Sequence, residues 1–303
     1  MLFRNLTLFR FPSSIRPALE KLDEHLPAAV LKPVGPLELS SRGFVSPFGR
    51  GEDALSHRIG DCVLLTLGGE DKLLPSAVIN EALATKLDAV REREGRHPGG
   101  RERKRLKDEV LTDLLPRAFA RPMRVNGYLD LGLGWLVVDT SSRKTAESFV
   151  TAIREALGSF PALPVNAESS PRALLTAWIS GESMPKGFEL GDECELRDPV
   201  DSGAIVKCKR QELDSDEVRE HLKAGKQGFQ LALTFEERLD FVIGEDIVVR
   251  KLRFLETATE ALERDDRDSL RAEIDATFAL MSGELKRLLE RLTEEFSLST
   301  ADA

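Results

Sequence analysis

The stretch "FQLALTFEERLDFVIGEDIVVRKLRF", residues 229–254, holds three apolar runs, FQLALTF, RLDFVI and IVVRKLRF, joined by only a few residues each. A parallel connection needs a crossover of a dozen or more residues, so strands joined this closely read as an antiparallel meander. The segment YLDLGLGWLVVD (128–139) follows the same logic, with two strand-like runs around a Gly-Leu-Gly turn that read as a hairpin. Helical periodicities lie between these strands without a regular βαβ rhythm. The expected fold class is therefore α+β, with mixed helices and antiparallel sheets, and not a doubly wound sheet.

Toward the N-terminus, LFRNLTLFRF reads as a strand, followed by a helix that Ser13 or Ser14 caps and that uses Ile15, Leu19, Leu22 and Leu26. DCVLLTL (61–67) is a buried strand. Gly68-Gly69 is expected to turn the chain toward Ser76, the cap of a helix with Ile79, Leu83, Leu87 and Val90 on one face. Gly95 and His97-Pro-Gly-Gly100 interrupt it. In KDEVLTDLLPRAFARPMRVN (107–126), Val110, Leu111, Leu114 and Leu115 form an apolar stripe that needs a partner; after Pro116, Arg117 and Arg121 bracket Phe119.

Beyond the hairpin, Ser141 or Ser142 starts a helix carrying Ala146, Phe149, Val150, Ile153 and Leu157, which Gly158 closes. The proline-punctuated FPALPVNAESSP (160–171) is the clearest candidate boundary and leads into a short helix with Leu174 and Trp178. AIVKCKRQEL reads as a strand with a basic end, Asp214 to Glu217 resembles a capping box, and Gly225 stops the helix it opens. From about Thr257 the chain is helical and mostly acidic. The expected organisation is an N-terminal α+β part (1–75), a segment with the basic helix, the Pro-Arg-Ala-Phe motif and the hairpin (76–165), a second α+β region (166–256) and acidic C-terminal helices (257–303).

The formal charge of -9 over 303 residues argues against a uniformly basic surface. Distribution matters more than the sum. Between Lys86 and Lys107 nine Lys/Arg face four acids, leaving +5 in this stretch and -14 in the rest. An acidic protein arranged this way is able to present a local anion-binding face. Cys62, Cys194 and Cys208 are too widely spaced for a CxxC clip and odd in number, so neither a disulfide framework nor a zinc ribbon is indicated, and a reducing cytoplasm is expected. MLFRNLTLFRFPSS has no sustained apolar h-region, and no apolar stretch approaches a membrane span.

Chemistry-bearing motifs are sparse. Gly132-Leu-Gly134 lacks a third glycine and sits in a hairpin, no GxxxxGK[ST] exists, and His25, His57, His97 and His221 are scattered without metal-ligand spacing. A metal-dependent nuclease is the enzyme class these residues echo, through Asp275 with Glu284-Leu-Lys286, or Asp130 with Asp139. On a helix, positions two apart do not face the same way, so Glu284 and Lys286 are not expected to converge, and strand-end aspartates commonly cap turns. No catalytic residue, metal ligand or cofactor is assigned, and binding is the expected class. Lys207, Lys209 and Arg210 cluster at a strand end, Lys207 and Lys209 on one face and Arg210 on the other, with Gln211 adding a neutral hydrogen-bonding tip. Such cations neutralise phosphates without reading sequence. A scaffold whose basic segments meet an acidic partner protein is the rival expectation.

Four strings carry a resemblance: LLPSAVINEAL (73–83), LKDEVLTDLLPRAFAR (106–121), KCKRQELDSDEV (207–218) and FALMSGEL (278–285). They resemble, in order along the chain, the RdgC family of bacterial recombination-associated proteins. The resemblance implies a cytoplasmic, nucleoid-associated protein without catalytic activity, whose U-shaped subunits pair into a ring-shaped homodimer around double-stranded DNA and restrain RecA-promoted recombination by competing for DNA. It implies that Phe119 packs across one dimer interface, with Arg117 in the same motif, and that Arg210 and Gln211 stand where the family's Lys-Gln closes the opposite one. Arg210 in place of Lys keeps the charge and changes donor geometry. The segment from Arg96 to Gly100 replaces a continuous Lys-rich helix. The expected DNA contacts are Arg101, Arg103, Lys104, Arg105, Lys107, Arg117, Arg121, Lys207, Lys209, Arg210 and Gln211, with Phe119, Arg210 and Gln211 at the dimer interfaces and the acidic C-terminal helices on the outside.

Overall fold

The computed structural model describes residues 2–182, 184–200, 203–263 and 269–301, so parts of the expected acidic C-terminal segment, 264–268 and 302–303, lie outside the described residues. The first elements in chain order are β1 (Thr7–Arg10), α1 (Arg16–Glu20), α2 (Leu22–His25), β2 (Ser40–Val45), β3 (Ser56–Ile59), β4 (Cys62–Lys72), α3 (Ser76–Glu94), α4 (Gly100–Leu114) and β5 (Ala120–Asp130). Next come β6 (Trp135–Val138), α5 (Arg143–Leu157), β7 (Leu163–Pro164), α6 (Pro171–Ile179), β8 (Phe188–Arg197) and β9 (Ile205–Lys209). The last are α7 (Asp216–Lys223), β10 (Gln227–Phe235), β11 (Leu239–Gly244), β12 (Val249–Phe254), α8 (Glu256–Glu263) and α9 (Leu270–Phe296). The α+β expectation holds.

Two compact units divide the chain. The smaller comprises Ala29–Val45 and Leu67–Arg124, and the larger the residues up to Ala28, Ser46–Thr66 and those from Val125 on. In the larger unit the meander is as expected: β10 pairs antiparallel with β11 (Leu231↔Ile243) and β11 with β12 (Leu239↔Phe254). β8 and β9 extend that sheet to the order β12-β11-β10-β8-β9. A second sheet of this unit pairs β5 with β6 (Asp130↔Trp135), β6 with β1 (Phe9↔Leu136) and β1 with β7, while β3 pairs with β4. The Asp130 carboxylate caps the hairpin turn, accepting from Gly132 N (3.0 Å) and Leu133 N (2.9 Å).

Helix α9 lies in the core and not on the outside. Phe278, Met281, Leu285, Leu288, Leu292 and Phe296 recur every three or four residues and are all buried. They share one apolar cluster with Tyr128, Trp135, Trp178, Phe188 and Phe235, and Trp178 meets the Phe296 ring edge-on at 5.4 Å. Acidic composition did not force the helix outward because its acids sit away from that stripe. The exception, Glu284, is buried and held by Arg238 (2.6 Å) and Arg287. Burial would raise its carboxyl, and the two guanidinium groups outweigh that and hold it below the usual carboxylate range.

Several local expectations fail for identifiable reasons. Gly68 and Gly69 do not turn the chain: β4 runs straight through them, and a Cβ on Gly68 would lie 2.7 Å from Val45 Cγ1, one on Gly69 2.8 Å from Arg42 Nη1. They are glycines for close approach. The α3 N-cap is Pro75 and not Ser76, the first 3-10 turn is preceded by Pro12, and Ser215 ahead of α7 makes no side-chain cap. Ser142 does cap α5, accepting from Thr145 N, and left-handed Gly158 closes that helix.

Candidate nucleic-acid interface

In the smaller unit, α3 and α4 form a helical hairpin. Gly95 ends α3 in the left-handed region (φ 66°), where a side chain would be strained, and α4 restarts at Gly100. Leu83 and Val90 of α3 meet Leu106 and Val110 of α4, with Ile79, Leu87 and Leu114 at the margin, so Val110 and Leu114 of the expected stripe find their cover within this pair, whereas Leu111 and Leu115 are not part of this cluster. Ion pairs lace the two helices together: Lys86 reaches Asp113 (2.7 Å), and Arg96 in the connection holds Glu102 (2.7 Å) and Glu94 (2.5 Å). The Arg96 guanidinium keeps the Glu102 carboxyl below its ordinary value.

That lacing consumes part of the basic stretch and leaves the rest free. Arg101, Arg103, Lys104, Arg105 and Lys107 are all exposed. Arg105 approaches Glu109 (3.5 Å), while none of the described ion pairs involves Arg101, Arg103, Lys104 or Lys107. The five do not share a face. At about 100° per residue, Arg101, Lys104 and Arg105 project together, and Arg103 and Lys107, four apart, rise beside the Leu106/Val110/Leu114 stripe.

After α4 a short 3-10 turn, Leu115–Arg117, delivers the chain to β5. The backbone here is pinned: Leu73 N–H donates to the Phe119 carbonyl (2.8 Å), and Lys72 Nζ to that of Ala118 (3.4 Å). The ring is not. Phe119 is 84% exposed, the most exposed aromatic side chain among the described residues, on a backbone that has no freedom to tuck it away. Arg117 is exposed beside it, and Arg121 lies 3.9 Å from Asp71, which Arg42 binds more closely (2.6 Å).

In the larger unit, β9 brings Lys207 opposite Glu195 and Lys209 opposite Glu193. Lys207 Nζ lies 3.0 Å from the Glu195 carboxylate, which Arg197 also holds (2.5 Å). Burial raises the Glu195 carboxyl, and the hydrogen bonds from Lys207 and Arg197 bring it net below the ordinary range. Lys207 is thus partly neutralised, whereas Lys209 and Arg210 are exposed and none of the described ion pairs includes them. Arg210 has φ +55°, a left-handed residue directly after the end of β9. Arg210 and Gln211 border an open concavity of about 1400 Å³. Its lining mixes signs, with Arg4, Arg210, Lys251 and Arg253 set against Asp192, Glu193, Glu212, Asp214 and Asp240, so charge there is not positive.

The carboxylates that could have built a nuclease centre all have structural partners. Glu284 is clamped by two arginines, Asp275 lies 2.7 Å from His57 Nε2, Asp130 caps its turn, and Asp139 accepts from Arg4 N and Asn5 N (both 2.9 Å). No group of three or more His, Cys, Asp or Glu among the described residues has the geometry to hold a metal ion. Among the described residues no helix is long and apolar enough to cross a membrane.

These features define an α+β protein of antiparallel sheets, with a cation-bearing helical hairpin and a presented aromatic ring. The family profile described as "Putative exonuclease, RdgC" matches residues 1–299. The Recombination-associated protein RdgC of Stenotrophomonas maltophilia (strain R551-3) is 57% identical over 303 residues, covering the whole of both chains. Proteins of the same name from Xanthomonas campestris pv. campestris (strain B100) and Xanthomonas axonopodis pv. citri (strain 306) are 55% and 54% identical, again over the full length of each. The chain belongs to the RdgC family, whose profile is described as a putative exonuclease and whose relatives named above are called recombination-associated proteins.

Proposed function

We infer that the protein binds double-stranded DNA without sequence preference, as a homodimeric ring that encircles the duplex, and restrains RecA-promoted recombination by occupying DNA. The observation that carries this reading is the set of exposed cations on α4 that stay outside the described ion pairs in a chain of net charge -9. Exposed and outside those ion pairs, these cations are free to replace counterions on phosphate. Self-association is supported by Phe119: a ring of that size, held outward by a pinned backbone, gains about 2 kcal/mol or more when a partner covers it. An isologous pairing keeps such a surface from driving open-ended aggregation. Arg210 and Gln211 at the end of β9 are the contacts for a second interface, and Arg117, Arg121, Lys207 and Lys209 the accessory cations. Nucleoid association in the cytoplasm follows from this role, and no cofactor or catalytic residue is assigned.

The test compares retention on relaxed circular and linear DNA of equal length after a high-salt challenge. Encirclement requires the circle to keep protein that the linear form loses from its ends; equal loss from both rejects the ring. A nuclease reading is tested in parallel with plasmid, magnesium and manganese. Intact plasmid is expected, and nicking abolished by changing Asp130 or Asp139 would replace the binding reading.

A further inference from the structure

Cys194 and Cys208 are far apart in sequence and face each other across β8 and β9. They are direct partners in an uninterrupted antiparallel register that runs from Glu193↔Lys209 to Arg197↔Ile205. Both are buried in the apolar core. Directly opposed residues of an antiparallel pair have Cα atoms about 4.5–5.5 Å apart, inside the span a disulfide bridges. The neighbouring Glu195–Lys207 ion pair (3.0 Å) helps hold this register and keeps the sulfurs opposed. No other cysteine pair is placed this way: Cys62 begins β4, in the other sheet.

We propose that Cys194 and Cys208 form a reversible cross-strand disulfide that clamps β9, and with it the Lys209–Arg210–Gln211 end, onto β8. The oxidant is a small-molecule disulfide of the glutathione class. The Cys208 sulfur, after losing its proton to water, attacks one sulfur of the oxidant and releases the first small thiol. The Cys194 sulfur, losing its own proton, displaces the second. Two protein thiols are oxidised, one small disulfide is reduced to two thiols, and the balance closes. Cys208 leads because β9 is terminal in the sheet order, so opening of that edge exposes it first. In the closed sheet, burial and then the neighbouring Cys208 push the Cys194 thiol up to about 12, which keeps it protonated and inert until the edge opens. A bond that forms only on local opening suits a reducing compartment, where protein disulfides are transient and regulatory.

The experiment uses the full chain incubated with oxidised glutathione, followed by intact mass and peptide mapping, with Cys194→Ser and Cys208→Ser alongside. Wild type should lose the mass of two hydrogen atoms, yield a cross-linked peptide joining Cys194 to Cys208, and recover with dithiothreitol. Cys194→Ser should instead keep a glutathione adduct on Cys208. An absent cross-link, or one that joins two chains, overturns the site. Hydrogen exchange tests the clamp: amides of 205–209 should exchange about tenfold slower or more in the oxidised form. A cross-linked protein with unchanged exchange overturns the clamp.

Discussion

Helical phase divides the free cations of α4 into two sets that a duplex lying along one side of the helix cannot contact equally. Arg101 and Lys104 project opposite the Leu106/Val110 stripe, and Arg103 and Lys107 lie along one side of it, roughly 110° around the axis at about 100° per residue. Each phosphate neutralised contributes about 0.9 to the slope of log affinity against log salt. Replacing Arg101 and Lys104 by Ala should therefore lower that slope by about 1.8 per subunit. Across a fourfold rise in salt, the variant should lose roughly tenfold less affinity than wild type for each subunit engaged, and on the order of a hundredfold less as a dimer. The Arg103/Lys107 double variant should leave the slope near the wild-type value. Anisotropy of a labelled duplex over a salt series measures both, with circular dichroism checking that α4 is retained, as expected when only exposed side chains change. An unchanged slope in the Arg101/Lys104 variant, or a loss confined to Arg103/Lys107, would refute the reasoning.

Two further perturbations separate association from folding. Phe119→Ala should shift sedimentation from dimer toward monomer while changing unfolding free energy by no more than about 0.5 kcal/mol, since the ring is 84% exposed; an unaltered dimer would remove Phe119 from the interface. Glu284→Gln leaves Arg238 and Arg287 without their carboxylate and should cost about 2–3 kcal/mol, discounted for the part of Arg238 that water still reaches. That corresponds to a urea midpoint about 1 M lower for a slope of about 3 kcal/mol/M. Because the folded Glu284 carboxyl lies below its ordinary value, its contribution is complete above the unfolded pKa of about 4.3 and is lost as pH falls through the folded pKa. The variant should show a shallower loss of stability on acidification, and identical acid profiles would argue against the clamp.

Much of the fold was legible locally. The meander of β10, β11 and β12 followed from three apolar runs with short connections, the hairpin at Asp130–Trp135 from its Gly-Leu-Gly turn, and the α5 boundaries from Ser142 and Gly158. In each case the deciding interaction spans only a few residues, so the residue types alone carry it. The stripe of α9 was equally readable by period, yet acidity suggested an outer position, because which face of a helix finds a partner depends on what else the chain brings there.

Composition located the basic stretch between Lys86 and Lys107, and the amino-acid types there sufficed to identify α4 as the cationic element. Only the tertiary structure decided which cations remain free. Lys86 and Arg96 are spent on Asp113, Glu94 and Glu102, and Lys207 is drawn to Glu195 from the facing strand. Gly68-Gly69, a turn by local rules, became strand interior because Val45 and Arg42 pack where side chains would stand. Cys194 and Cys208, unrelated by any spacing, became neighbours through strand register. Turns, caps and periodicity are short-range consequences of residue identity, whereas charge pairing, close approach and cross-strand juxtaposition depend on partners distant in the chain, which only the folded topology selects.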